Sequence, residues 1–149
     1  MSRMLLGNAI AKTDDRGRLK LPASFRAEIE ASYGNEFFVT SLRGESVRIY
    51  PMEVWLRIQE RLAQSPPFNP SVMRFKKRTN YYGQKATMDG QGRILIHPLL
   101  RDKAQIDGEV AVLGQQDHLE IWNRANFERG LDEDPLTDDD LASLSDFGI

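Results

Sequence analysis

The pattern Asp-x-x-Gly-Arg occurs twice in this chain, as DDRGR at residues 14–18 and as DGQGR at 89–93. Each copy is followed by alternating apolar residues and a proline, in RLKLPASFR and in RILIHPLLR. A later segment, ESVRIY at 45–50, matches DHLEIW at 117–122. The chain is therefore an internally duplicated unit. One copy of roughly 45 residues is too short to bury a stable core alone, so we expect the two copies to share one core.

The two copies align with a single change of offset. The shift is 75 residues from the first pattern through Arg26, which matches Arg101, and it is 72 residues for the later segment. A three-residue difference in one loop explains the change. Matching elements are therefore expected in both copies.

Hydrophobic alternation and turn residues predict the elements. In copy one we predict a strand at 5–12, a turn at 14–17, a strand over 18–22, a helix at 23–31, strands at 36–42 and 46–51, and a helix after Pro51. In copy two we predict a strand at 84–88, a turn at 89–92, a strand at 93–97, a helix at 98–104, strands at 109–114 and 118–122, and a helix from about 123. The segment SPPFNP at 65–70 breaks the helix between the copies, residues 72–83 are helical in part, and Thr137 is suited to begin a tail helix.

These elements divide the chain into four parts. We expect a first domain at 8–55, a helical linker at 56–83, a second domain at 84–127 and an acidic C-terminal tail at 128–149. The net charge is −2, but the part from Glu128 onward holds eight acidic residues against Arg129 alone. The duplicated body is therefore basic, which is compatible with a polyanionic partner.

The repeated pattern predicts a tight turn in which an Asp and an Arg pair and a Gly supplies backbone freedom. We assign this structural role to Asp14, Asp89 and Gly92. The surroundings of the two arginines differ along the chain. Arg18 lies among cationic residues, whereas Arg93 has few basic sequence neighbours, because Gln91 and Leu95 stand where copy one has a cation. The candidate contacts for a polyanion are Lys12, Arg16, Arg18 and Lys20, whose cations could pair with guanine edges or neutralise phosphates, so the turn of copy one is the better candidate.

A second basic cluster comprises Arg74, Lys76, Lys77, Arg78 and Lys85. A solvated helix face is the default interpretation, and a phosphate-contacting surface is the alternative. The neighbouring Tyr81 and Tyr82 are expected to be packing residues.

No motif for catalysis or for a cofactor is present. The two histidines, His97 and His118, lack the partners of a catalytic triad, and no phosphate loop, dinucleotide fingerprint or metal-protease motif occurs. The chain has no cysteine, which excludes a zinc-thiolate site or a cysteine nucleophile. No apolar run has the length of a membrane span, and the N-terminal segment MSRMLLGNAI lacks the features of a signal peptide. We predict neither an enzyme nor a metal site, small-molecule substrate or membrane partner, and the lack of cysteine fits the cytoplasm.

The segments GNAIAKTDDRGRLKLPASFR and MDGQGRILIHPLLR, with IYPMEVW and IWNRANF closing each half, closely resemble the MraZ family of bacterial proteins with two tandem SpoVT-AbrB domains. The resemblance covers residues 5–127. It departs at His97, which stands before Pro98 in copy two.

The resemblance implies a mainly β fold with peripheral helices, an AbrB-like swapped-hairpin β-barrel built from both repeats. It implies a sequence-specific DNA-binding transcriptional regulator of the division and cell-wall gene cluster. Such a protein binds repeated short G-rich boxes of its own promoter region as an oligomeric ring and associates with the nucleoid. The family's Asp-x-x-x-Arg motif maps DNA binding onto Arg16, Gly17 and Arg18 in copy one and onto Arg93 in copy two.

Two other functions remain open from the sequence. One is an oligomeric scaffold, in which the basic turns only stabilise assembly. The other is an antitoxin-like protein-binding module, in which the acidic tail would bind a partner.

Overall fold

The computed structural model describes residues 4–149, so the first three residues of the N-terminal segment considered above lie outside the described residues. The elements of copy one are β1 Asn8–Lys12, β2 Arg18–Lys20, α1 Ala23–Ser32, β3 Glu36–Thr40, β4 Val47–Pro51 and α2 Met52–Gln64, followed by α3 Pro70–Tyr81. The elements of copy two are β5 Gln84–Thr87, β6 Arg93–Leu95, α4 Pro98–Ala104, β7 Glu109–Gly114, β8 Leu119–Asn123 and α5 Arg124–Glu133, followed by α6 Asp138–Ser145. The predicted order of elements is confirmed.

Local chemistry fixes the helix starts. Proline precedes or opens the first helix of each copy, because its missing N–H is not needed there and its φ suits a helix. Asn69 caps α3 by accepting hydrogen bonds from the backbone N–H groups of Ser71 and Val72. Thr137 and Asp140 form a reciprocal capping box at the start of α6. The tail therefore contains the helix that its sequence allowed.

The two copies exchange their first strands. The strands of the six-stranded antiparallel sheet lie in the order β1-β7-β8-β4-β3-β5, and β2 pairs with β6 in a separate two-stranded sheet. Strand β1 thus pairs with the β7–β8 hairpin of copy two, and β5 pairs with the β3–β4 hairpin of copy one. The β4–β8 pair joins the halves at the centre. A duplicated, mainly β fold with swapped hairpins is confirmed.

One hydrophobic core lies between the two sheets. The β2–β6 ribbon contributes Leu19 and Ile94, both fully buried. The same buried cluster includes residues of both hairpins, among them Val39 and Val112. The expected shared core is confirmed, and β1 and β5 form the two edges of the six-stranded sheet.

The helices lie outside the sheets. Helix α2 packs on β3 and β4, and α5 packs on the equivalent strands β7 and β8. Helix α6 has no buried residue. Among residues 4–149, no helix is both long and apolar enough to cross a membrane.

Candidate nucleic-acid interface

The first repeated turn is closed by its aspartate. Asp14 Oδ1 accepts hydrogen bonds from the backbone N–H groups of Arg16 and Arg18, both at 2.9 Å, and Asp14 Oδ2 accepts one from Arg18 Nε at 2.8 Å. The backbone of Gly17 also donates to the carbonyl of Asp14 at 3.0 Å. These bonds, that from the Arg18 backbone foremost, lower the pKa of Asp14 below its ordinary value.

The second turn repeats this geometry. Asp89 Oδ1 accepts from the backbone of Gln91 and of Arg93 at 2.9 Å, and Asp89 Oδ2 accepts from Arg93 Nε at 2.8 Å. The backbone hydrogen bond from Arg93 is the main reason that the pKa of Asp89 falls to about 2. The two arginine side chains are also equally exposed, at 27 % each. Both turns therefore hold an arginine in one fixed orientation.

Each turn glycine is in contact with an arginine of the other copy. Gly17 and Gly92 have φ of +78° and +77°, a conformation that favours glycine. A Cβ at Gly17 would overlap the guanidinium of Arg101, and one at Gly92 would lie 2.8 Å from Cδ of Arg26. Arg26 Nη2 also donates to the carbonyl of Gly90 at 3.0 Å, and Arg101 Nε donates to the carbonyl of Ile96 at 2.8 Å.

These two arginines were not among the predicted site residues. Arg26 and Arg101 occupy equivalent positions in the two copies, and this correspondence is the sequence signal that could have identified them. Their role depends on the strand exchange, because the exchange carries the first helix of one copy to the turn of the other. The sequence does not reveal that arrangement.

The pairing of β2 with β6 brings cations of both copies onto one face. Arg18 lies opposite Leu95, and Lys20 lies opposite Arg93. Residues paired in an antiparallel ladder point to the same side, and the intervening Leu19 and Ile94 are buried beneath. Arg18, Lys20 and Arg93 therefore share the outer face of the ribbon. Arg93 has few basic neighbours along the sequence, but Lys20 is its cross-strand partner in the ribbon.

The other predicted cations differ in their surroundings. Arg16 lies exposed at the turn beside the ribbon. Lys12 is also exposed, but it ends β1 and lies opposite Glu109 in the β1–β7 ladder. Lys12 therefore lies outside the β2–β6 ribbon, opposite an acidic residue that pairs with Arg124.

The second basic cluster lies elsewhere. Arg74, Lys77 and Arg78 are exposed on α3, and Lys85 is exposed on β5. Tyr82 packs against the core as expected, whereas Tyr81 is 65 % exposed and packs edge-on against the Tyr82 ring, with centroids 5.3 Å apart.

The histidines have structural partners. His97 is buried and its Nε2 lies 2.7 Å from the carbonyl oxygen of Tyr82. His118 Nδ1 lies 2.8 Å from Asp117 Oδ1, and its ring stacks on Tyr50. Among residues 4–149, no group of three or more His, Cys, Asp or Glu side chains could hold a metal ion.

This protein belongs to a class of duplicated, strand-swapped β proteins. Its two copies exchange their first strands, and an Asp–Arg turn leads into each strand of one ribbon. The model of the MraZ family, described as MraZ protein and antitoxin-like, matches residues 4–78 and 83–144. The protein named Transcriptional regulator MraZ from Koribacter versatilis is 45 % identical over 98 % of this chain and 100 % of its own length. Its namesake from Acidobacterium capsulatum is 42 % identical, with the same coverage of both chains. The chain belongs to the MraZ family.

Proposed function

We propose that this protein is a DNA-binding transcriptional regulator that contacts DNA through the outer face of the β2–β6 ribbon. Membership of the family supports this function, as do relatives named Transcriptional regulator MraZ that match along their full length. The resemblance supplies the finer part of the proposal. The protein binds repeated short G-rich boxes in its own promoter region, regulates the division and cell-wall gene cluster, and works as an oligomeric ring on the nucleoid in the cytoplasm.

The observation that carries the proposal is the composition of that outer face. Arg18, Lys20 and Arg93 all lie on it, and Arg16 lies at the adjacent turn. Neither strand of the ribbon contains an acidic residue. A two-stranded antiparallel ribbon is one of the two elements that fit the major groove of B-DNA. Shape and charge therefore agree with DNA as the partner.

The aspartate of each turn prepares its arginine for base recognition. Asp14 engages Nε of Arg18, and no hydrogen bond from Nη1 or Nη2 of Arg18 occurs among the described residues. The two terminal nitrogens can then donate together to O6 and N7 of guanine, the commonest specific contact in the major groove. Because the orientation is fixed before binding, less side-chain entropy is lost on contact. This chemistry suits a G-rich box.

Lys20 has a different role in the proposal. It is exposed and makes no hydrogen bond or ion pair within the described part of the chain. A flexible ammonium group of this kind neutralises a phosphate without reading sequence. A ring would then place several ribbons at fixed spacing, so that repeated boxes bind multivalently and affinity rises without new types of contact.

The test is a binding titration of the full-length protein on its own upstream DNA across a salt series. The wild type should bind specifically, with an affinity that falls log-linearly with salt. Arg18→Ala should lose affinity by about fivefold to 150-fold, since one bidentate guanine contact is worth roughly 1–3 kcal/mol. Arg57→Ala, which removes an exposed arginine from α2, is the matched control and should bind as the wild type does.

Two further measurements separate the alternatives. Thermal melts and sedimentation of Arg18→Ala must show an intact fold and oligomer. If this variant dissociates with unchanged affinity per subunit, Arg18 is structural. If the wild type fails to bind its upstream DNA at modest salt, the scaffold or the antitoxin-like function replaces the regulator.

A further inference from the structure

Copy one has an aromatic cluster whose central rings are buried. Phe38 stacks on Trp55 with ring centroids 4.7 Å apart, and Tyr50 lies 5.0 Å from the same ring. Phe75 of α3 completes the cluster, with its centroid 6.2 Å from that of Trp55. Tyr50 and Trp55 are each only 4 % exposed. Helix α3 therefore acts as the cover of this half of the molecule.

Copy two has the equivalent cluster without a cover. At the shift of 72 residues, Trp122 replaces Tyr50 and Phe127 replaces Trp55, and their centroids are 5.7 Å apart. Ala111 pairs with Trp122 as Phe38 pairs with Tyr50, so a small side chain replaces a large one. Beside these rings, α5 carries a groove of about 320 Å³, lined by Trp122, Asn126, Phe127, Gly130, Leu131 and Asp134. We call it the α5 groove.

The tail of the same chain is a poor cover for this groove. The hydrogen bonds of helix α6 join residues within 137–149, and the helix buries no residue. It begins with three aspartates, while Asp134 already lines the groove. Residues 130–149 contain no lysine or arginine. Like charges on both surfaces oppose this contact.

A surface of opposite charge lies on the other half of the molecule. Residues 61–88 contain no aspartate or glutamate. On α3, Met73, Lys77 and Tyr81 follow at intervals of four residues, so they form one stripe on its outer side. Met73 is 40 % exposed and Tyr81 is 65 % exposed. This stripe, the α3 outer face, is an apolar strip among cations, and its inner side already covers the aromatic cluster of copy one.

We propose that the α5 groove of one subunit receives the α3 outer face of a second copy of this chain. The groove offers aromatic and aliphatic surface with an acidic end, and the α3 outer face offers Met73 and Tyr81 around Lys77, so shape and charge match. The contact joins the copy-two half of one subunit to the copy-one half of the next. Such a head-to-tail contact repeats around a closed ring. The inference rests on the ring assembly in the proposed function and names the surfaces that build it.

Sedimentation velocity of the full-length protein tests the contact. Leu131→Glu places a charge in the groove, and because Leu131 is already 58 % exposed the substitution leaves the core intact. The wild type should be an oligomer, and Leu131→Glu should sediment as a monomer with the circular dichroism spectrum of the wild type. The matched control is Leu141→Glu on α6, where the leucine is 51 % exposed, and it should remain oligomeric. A monomeric wild type, an oligomeric Leu131→Glu, or dissociation by Leu141→Glu would each overturn the proposal.

A mixing experiment tests whether the two faces meet each other. Lys77→Glu combined with Tyr81→Glu disables the α3 outer face and should also give a monomer. Mixed with Leu131→Glu, it should form a heterodimer and nothing larger, because each variant keeps the face that the other has lost. Two monomers that ignore each other on mixing would contradict a head-to-tail contact.

Tryptophan emission reports on the groove directly. The chain has two tryptophans, so Trp55→Phe leaves Trp122 as the sole indole. Its emission should shift to the blue when subunits assemble and should not shift in the Leu131→Glu background. An unchanged emission on assembly would show that the groove stays open.

Measurements of DNA binding distinguish a failure of this inference from a failure of the proposed function. Leu131 and Lys77 lie outside the β2–β6 ribbon, so Leu131→Glu should bind a duplex carrying a single box as tightly per subunit as the wild type. It should lose the added affinity for tandem boxes. If the oligomer responds as predicted but no form binds DNA, the interface stands and the regulatory function fails.

Discussion

Replacement of Gly17 by alanine should destabilise the protein far more than the same change at another glycine with positive φ. Gly17 has a φ of +78°, and a Cβ there would overlap the guanidinium of Arg101. Gly34 is the matched control. Its φ is +91°, but a Cβ would meet nothing within 4 Å. The comparison isolates the contact between the first turn and the second copy.

The magnitude follows from two contributions. Alanine in a left-handed conformation costs about 1–2 kcal/mol, and this applies to both positions. At Gly17 the arginine must also move, and loss of its hydrogen bond to the carbonyl of Ile96 adds about 1.5–3 kcal/mol. Gly17→Ala should therefore lower the free energy of unfolding by about 2.5–5 kcal/mol, and Gly34→Ala by about 1–2 kcal/mol.

Urea unfolding at one fixed protein concentration measures both values, since the stability of an oligomer depends on concentration. In an Arg101→Ala background, Gly17→Ala should cost only about 1–2 kcal/mol more, because the obstructing side chain is gone. Equal costs at Gly17 and Gly34, or an unchanged cost in that background, would refute the reasoning.

Three further outcomes are expected. The folded-state pKa of Asp89 is lowered to about 2, so the stabilisation by its charged form is complete above the ordinary pKa of 3.8 and is lost as the pH falls toward 2. Asp89→Asn should therefore lose less stability than the wild type when both are titrated with acid. Identical curves of stability against pH would contradict this. Thr137→Ala removes the cap of α6 and should destabilise this helix by about 1 kcal/mol. The helical circular dichroism signal should then fall as α6 frays, with no change in the global melt, since α6 buries no residue. Deletion of 135–149 removes four acidic residues and should raise affinity for non-specific DNA, and unchanged affinity would mean that the tail does not screen the basic body.

The repeat made much of the fold predictable from the sequence. Alternation at Leu19 and Leu21 identified a strand, and the prolines identified the helix starts. The shortness of each copy required a shared core. These features are local or follow from length, so a single sequence contains them.

The composition of the ribbon was not predictable in the same way. Lys20 and Arg93 are far apart in sequence, and only the exchanged strand pairing makes them neighbours. The same holds for Arg101 beside Gly17. The pairing partner of a three-residue strand depends on the tertiary arrangement of the whole chain, which the alternation of that strand does not encode. Charge counted along the sequence therefore missed Lys20 beside Arg93, although Arg16 still has the uncharged Gln91 as its counterpart in copy two.

The most direct test of DNA binding at the β2–β6 ribbon is the salt dependence of DNA affinity for two lysine variants. Lys20 lies on the β2–β6 ribbon, and Lys85 is an exposed lysine on β5. Lys20→Ala should reduce the slope of log affinity against log salt by about 0.9, the value for one lost phosphate contact, while Lys85→Ala should leave the slope unchanged. A reduced slope in Lys85→Ala together with an unchanged slope in Lys20→Ala would indicate that DNA binds at another surface and would contradict the account.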